Sequence, residues 1–143
     1  MKIQLEPTTF RIPVTNNWKP CENKEWVESP MGDIWAHKNG EQLYTWNAAM
    51  REIKKVGKRL PTDDELEGIE PKDFAGLFVG YRSPDVSFYN RGTTTGVWSS
   101  SDSGGYAWSR CLYSCDSTVR RYPNTKAYGF SVRCVLEENT DSL

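Results

Sequence analysis

Gly129-Phe130-Ser131-Val132-Arg133-Cys134-Val135 alternates with the period of two that marks a β-strand. Phe130, Val132 and Cys134 fall on one face; Ser131, Arg133 and Val135 fall on the other. The run lies near the end of a 143-residue chain, and Lys2 to Leu5 alternates in the same way near its start. If the closing strand pairs with the opening one, the two termini come together. Between these runs the composition shifts. Up to Lys72 the chain is rich in Lys and Glu. From Asp73 to Leu136 it has no Glu and a single Lys, Lys126, while Ser, Tyr, Gly, Thr and Arg take over. This predicts a helical half followed by a β-rich half within one domain, residues 1–143. The fold class is α+β, with two helices packed against small antiparallel sheets.

Working outward, Gln42 to Val56 carries Leu43, Trp46, Ala49, Met50, Ile53 and Val56 at helical spacing, with Gly57 as a C-terminal stop. That stripe reads as core. Thr62 to Leu66 reads as the start of a second helix, Thr62 capping and Glu65 closing the box; this explains the acids Asp63, Asp64 and Glu65 without a metal. Residues 1–31 read as an N-terminal strand and an irregular segment, and the scattered Pro, Asn and Trp from Thr8 to Trp35 imply only short strands. After Pro71 the predicted strands are Phe74 to Tyr81, Val86 to Tyr89, Val97 to Ser101, Ala107 to Tyr113, Thr118 to Tyr122 and Tyr128 to Leu136. The polar tail from Glu137 to Leu143 is expected to fray.

Composition removes several classes of function. Lys plus Arg is 18 and Asp plus Glu is 19, a net charge of −1; a polybasic nucleic-acid binder needs a surplus of cations. Six Trp and seven Tyr are more rings than a disordered chain carries. No run approaches the roughly 18 apolar residues of a membrane span, so no membrane insertion is expected. The opening Met1 to Pro7 lacks the apolar core of a signal peptide. One His, His37, is present in the whole chain, which removes most imidazole-based catalysis. The four cysteines, Cys21, Cys111, Cys115 and Cys134, leave free thiols, one disulfide or a metal open. Cys111 and Cys115 fall on what reads as one strand, where four residues span roughly 13 Å, beyond disulfide reach. No C-x2-C spacing suggests zinc.

Ser103 to Thr125 has the Ser, Tyr, Gly, Asp, Asn and Arg mixture of recognition loops, in which Tyr gives rigid contact area and the small polar residues adaptable hydrogen bonds. It is also poor in Lys, Glu, Gln, Met and Trp. These five types number 26 in residues 1–97, yet only Trp108 appears here. No codon ending in a pyrimidine encodes any of the five, so variation through such codons would exclude them. Alternation assigns Trp108, Arg110 and Leu112 to a framework face and Ser109, Cys111 and Tyr113 to a displayed, exposed face. From Trp98 to Val135 five cations meet two acids, Asp102 and Asp116, from which an acidic ligand surface is expected.

Five blocks carry a family resemblance: Leu43 to Ala49, Arg59 to Leu66, Gly80-Tyr81-Arg82, Val97 to Ser101 and Gly129 to Val135. In order and over residues 32–136, they resemble the Fibrobacter succinogenes major paralogous domain group, on the formylglycine-generating-enzyme-like branch of the C-type lectin fold. Within it the chain is most similar to variable proteins of diversity-generating retroelements, in which a reverse transcriptase mutates template adenines. The resemblance implies a C-type lectin-like scaffold with a hypervariable ligand-binding site. Residues 98–135 would form the variable region with its framework strands, and Asp102 to Tyr128 would vary.

The displayed set would be Ser103, Gly105, Tyr106, Ser109, Cys111, Tyr113, Ser114, Cys115, Asp116, Arg120, Tyr122, Asn124 and Tyr128. Trp46, Met50, Ile53, Trp98, Trp108, Phe130 and Val132 would hold the frame. The expected function is binding without catalysis, for receptor binding or adhesion at a virion or cell surface. The expected partner is a protein or glycan, with no cofactor, no metal and no nucleic acid. Tyr122-Pro123-Asn124 lacks the acid of calcium-dependent sugar-binding loops. The alternatives are a non-diversified surface domain of the same fold, or a copper oxidase of the formylglycine-generating type using Cys111 and Cys115.

Overall fold

The computed structural model describes residues 3–74 and 78–137. Among them are one α-helix and three small antiparallel sheets, an α+β fold that is mostly β. The first sheet, in order β1-β2-β3-β4, comprises β1 (Lys19–Pro20), β2 (Trp26–Glu28), β3 (Ile34–His37) and β4 (Gln42–Tyr44). The second pairs β5 (Tyr81–Arg82) with β6 (Phe88–Tyr89). The third runs β7 (Thr94–Ser103), β8 (Tyr106–Tyr113) and β9 (Arg120–Thr125), with β8 central. No described helix is long and apolar enough to cross a membrane.

Helix α1 (Trp46–Lys55) starts later than the hydrophobic stripe predicts, because Gln42 to Tyr44 is a strand. Thr45 caps it, its side chain accepting from the Ala48 N–H at 3.2 Å. The C-terminus closes as a Schellman motif. Gly57 takes φ +72, its N–H donates to the Lys54 carbonyl, and the Lys58 N–H donates to that of Ile53. Ala48, Ala49 and Ile53 are buried, Trp46 and Met50 are half-buried, and Val56 is exposed, outside the core predicted for it.

The expected second helix is absent among the described residues. The capping box itself is formed: the Glu65 N–H donates to Thr62 Oγ1 at 3.1 Å and the Thr62 N–H to Glu65 Oε1 at 2.9 Å. Past the box the chain runs through turns to Gly68, with φ +83, and then enters a 3-10 helix at Pro71–Phe74. A left-handed glycine and a proline three residues apart stop a helix that the cap had begun. Of the predicted strand from Phe74 to Tyr81, Phe74 lies in that 3-10 helix and residues 75–77 lie outside the described residues. The tail beyond 137 and the start of the Lys2 to Leu5 run are outside them too.

Gly129 to Val135 forms a seam between elements in place of the strand its alternation predicts. Phe130 bridges Tyr44, Gly129 bridges Arg82, Val135 bridges Leu5, and Ser131 bridges Val97 in parallel. The Glu6 N–H donates to the Cys134 carbonyl and the Leu136 N–H to that of Gln4, so the two ends of the described chain lie side by side. Both faces of the seam are buried, Ser131 and Arg133 included. Arg133 donates from Nε and Nη2 to the Glu6 carbonyl at 2.9 and 2.6 Å, and burial pulls its guanidinium below the usual arginine range.

The main core lies where α1, β4, β7 and this seam meet. Trp98 is fully buried, donates from Nε1 to the Tyr44 carbonyl at 2.8 Å, and sits edge-on to Phe130 at 4.7 Å between ring centroids. A second cluster of Trp26, Trp35, Leu43 and Val79 anchors the first sheet.

Candidate functional site

The third sheet carries the segment singled out in the sequence. In its register Ser109 faces Trp98 on β7 and Tyr122 on β9, while Cys111 faces Gly96 and Arg120. Ser109, Cys111, Tyr113, Tyr122 and Asn124 therefore share a face, and Tyr106, Trp108, Arg110 and Arg121 share the opposite one. β9 is an edge strand, the position in which Pro123 is tolerated.

The division into a framework face and an exposed face does not hold. Ser109 is 0% exposed and Cys111 7%, so neither is displayed at the surface. Ser109 Oγ donates to Asn124 Oδ1 at 2.7 Å, which satisfies the hydroxyl inside the fold. Trp108, assigned to the core, is half-buried, with the Arg121 guanidinium 3.4 Å over its ring centroid. Gly96 explains the closeness of packing behind Cys111. A Cβ added there would lie 2.9 Å from the Phe130 ring and 3.4 Å from Cys111 Sγ.

Four of the five cations are held by acids within the fold. Arg110, its side chain 4% exposed, donates to Asp63 Oδ1 at 2.5 Å, and Arg121 donates to both Asp63 carboxylate oxygens. Arg120 pairs with Asp116 and Lys126 with Asp102, each at 2.7 Å. The expectation of an acidic ligand, built on formal charge, counted cations that these acids already engage.

The thirteen predicted positions separate into three groups. Ser103, Gly105, Tyr106, Ser114, Cys115 and Arg120 are exposed. Ser109 and Cys111 are buried, and Tyr113, Asp116, Tyr122, Asn124 and Tyr128 are half-buried. Cys115 lies beyond the end of β8, so it does not share a strand with Cys111, and all four cysteines are free thiols. Among the described residues no three His, Cys, Asp or Glu gather to hold a metal ion.

Cys111, Tyr113, Tyr122, Asn124 and Tyr128 converge on one recess of about 210 Å³. Its remaining wall comes from Tyr81, Asn90, Thr94 and Phe130, outside the Asp102 to Tyr128 segment. The sequence reading missed this wall, although it singled out the Gly80-Tyr81-Arg82 block. Asn90 takes φ +58 and its carbonyl accepts from the N–H groups of Thr93 and Thr94, which fixes the turn at the rim. Tyr128 stacks on Phe130 with ring centroids 5.6 Å apart, and Tyr81 lies 6.1 Å from Tyr128.

A hydrogen bond with Tyr122, together with burial, pushes the Tyr113 phenol up to about 12. Burial pushes the Cys111 thiol up to about 11. At neutral pH both are uncharged.

Across the sheet a second recess, of about 350 Å³, is lined by Ser103, Tyr106, Ala107, Trp108 and Pro123. Two larger hollows, of about 720 and 780 Å³, follow the N-terminal chain, one beside Lys72 and Arg133, the other beside Arg11 and Lys58. Size does not favour them: across the two, Phe10 is the one aromatic ring in the lining, whereas the smaller recess gathers five aromatic side chains and two amides.

Comparison of the chain with protein-family models, curated proteins and solved structures gives no match.

Proposed function

We propose that this chain is a ligand-binding display scaffold of C-type lectin-like fold, a variable protein of a diversity-generating retroelement. Its surface between Asp102 and Tyr128 would be diversified for receptor binding or adhesion, with no reaction catalysed. The supporting observation is the convergence of Cys111, Tyr113, Tyr122, Asn124 and Tyr128 on one open recess. These side chains come from β8, β9 and the loop after β9, yet they meet in one place. Phe130, itself buried, forms part of the wall, and the buried Trp98 packs edge-on against it at 4.7 Å between ring centroids. Such an arrangement separates stability from recognition: core residues, the buried Cys111 among them, hold the backbone, and exchange of the less buried Tyr and Asn side chains costs less than exchange in the core. Tyr and Asn suit the role, since rings supply contact area and amides supply directional hydrogen bonds.

The reading is tested by sequencing the gene and its neighbourhood across a natural population. The expected result is a near-repeat of the 3′ end with adenines at variable codons, a linked reverse transcriptase, and substitutions concentrated at positions 102–128. Blocks 98–101 and 129–135 should stay fixed. Substitutions spread evenly along the gene, with no repeat, would overturn the proposal.

A further inference from the structure

We infer that the recess between Tyr81, Asn90, Tyr113, Tyr122 and Tyr128 takes a single uncharged sugar ring. The inference deepens the proposed function and rests on its choice of binding site.

Size is the first argument. About 210 Å³ lies below the roughly 300 Å³ at which pockets for drug-sized ligands begin, so the occupant is one ring or one side chain. Charge is the second. No lining residue carries a formal charge, and the neutral Tyr113 phenol and Cys111 thiol add none at neutral pH. The Arg120 guanidinium lies 5.5 Å from the Tyr113 ring centroid and is held by Asp116 at 2.7 Å. A carboxylate or phosphate would enter with no cation lining the site.

The third argument is the mixture of groups. Tyrosine rings offer flat apolar faces, which suit the C–H face of a pyranose. Around them stand the hydroxyls of Tyr and Thr94 and the amides of Asn90 and Asn124. With its oxygen accepting from Ser109, Asn124 keeps its NH2 group as a donor. A sugar satisfies rings and directional polar groups together. A quaternary ammonium would use the rings and leave the amides and hydroxyls unmatched.

Part of the wall, Tyr81, Asn90, Thr94 and Phe130, is outside the Asp102 to Tyr128 segment. It would supply the ligand class, and the segment would select among sugars of that class.

The test titrates the 15N-labelled chain in EDTA with methyl glucoside, methyl galactoside, methyl mannoside and N-acetylglucosamine, and separately with glucuronate and choline. At least one neutral sugar should shift the amides of residues 94, 111, 113, 122 and 124, with a dissociation constant on the order of millimolar, as expected for so small a ligand. Tyr122→Ser should weaken binding about tenfold or more. Because that change could also loosen β9, Asn90→Gly provides the second arm. Glycine accepts the φ of +58 while removing the amide, so affinity should fall with the spectrum otherwise unchanged.

No shift by any neutral sugar at ~50 mM, or recess shifts caused only by choline or glucuronate, would overturn the inference. If the gene varies at 102–128 and the sugars still fail, the ligand class falls and the display reading stands. If the sugars bind and the gene is invariant, the reverse holds.

Discussion

On one face of the β7–β8–β9 sheet, Arg110 is buried against Asp63 and Arg121 lies over the Trp108 ring. On the other, Ser109 and Cys111 are buried beside Gly96 and Phe130, and the open edge is formed by tyrosines and an asparagine. Depth is therefore not set by residue type. A guanidinium can be buried because Asp63 meets it, and a serine can be buried because Asn124 accepts its hydrogen bond. The first face stabilises the sheet with charge held in a partner's grip. The second carries Arg120, held by Asp116, and opens into a recess whose lining residues are all uncharged. That contrast makes the recessed face the better candidate for a surface whose side chains can be exchanged.

The contrast can be broken most severely at Asp63. Asp63→Ala takes away the carboxylate 2.5 Å from the buried Arg110, leaving it the residue-63 carbonyl and Glu67 at 3.7 Å; removal of one member of a buried pair costs about 3–5 kcal/mol, and urea denaturation should report the loss. The hydrogen bond from Arg121 and then that from Arg110 hold the Asp63 carboxyl below its usual range. Its contribution is thus complete above pH ~4 and is lost as pH falls through the lower, folded value. Stability measured against pH should fall less steeply below pH ~4 in Asp63→Ala than in the parent.

Next is Gly96→Ala on the recessed face. The added methyl meets the Phe130 ring at 2.9 Å, and overpacking of this kind costs about 1–3 kcal/mol. The melting temperature should drop, and crystallography should find Phe130 displaced. Ser109→Ala removes the bond to Asn124, a loss of about 1 kcal/mol. It also frees the Asn124 side chain, which NMR of its amide protons should detect. The smallest effect belongs to Tyr106→Ser. This residue is 54% exposed, and its replacement should change stability by about 0.5 kcal/mol or less in the same urea experiment.

Much of this architecture was legible in the sequence, and the exceptions have physical causes. The Gly57 stop and the strands of the third sheet lie close to where periodicity and turn chemistry put them. The second helix does not form, because Gly68 and Pro71 limit what the Thr62–Glu65 box can start. The Trp26–Trp35 cluster belongs to strands of two to four residues, too short for alternation to register. Gly129 to Val135 alternates, but contacts on both sides bury both faces, so period alone could not assign one to solvent. Depletion of Lys, Glu, Gln, Met and Trp continues back to Asp73, so composition could not mark where the segment begins. The recess was half legible: its Tyr113–Tyr128 side comes from one stretch of chain, whereas Tyr81 and Asn90 are brought in by a separate sheet.

A display scaffold requires a fixed frame that tolerates exchange at the neutral recess. The most direct measurement randomises codons 106, 113, 120, 122, 124 and 128 to NNY in one library and 98, 110, 130 and 132 in another, then counts protease-resistant members of each. A large share of the first library should stay folded and almost none of the second. Equal loss of folded protein in both would contradict the division of the molecule into frame and display.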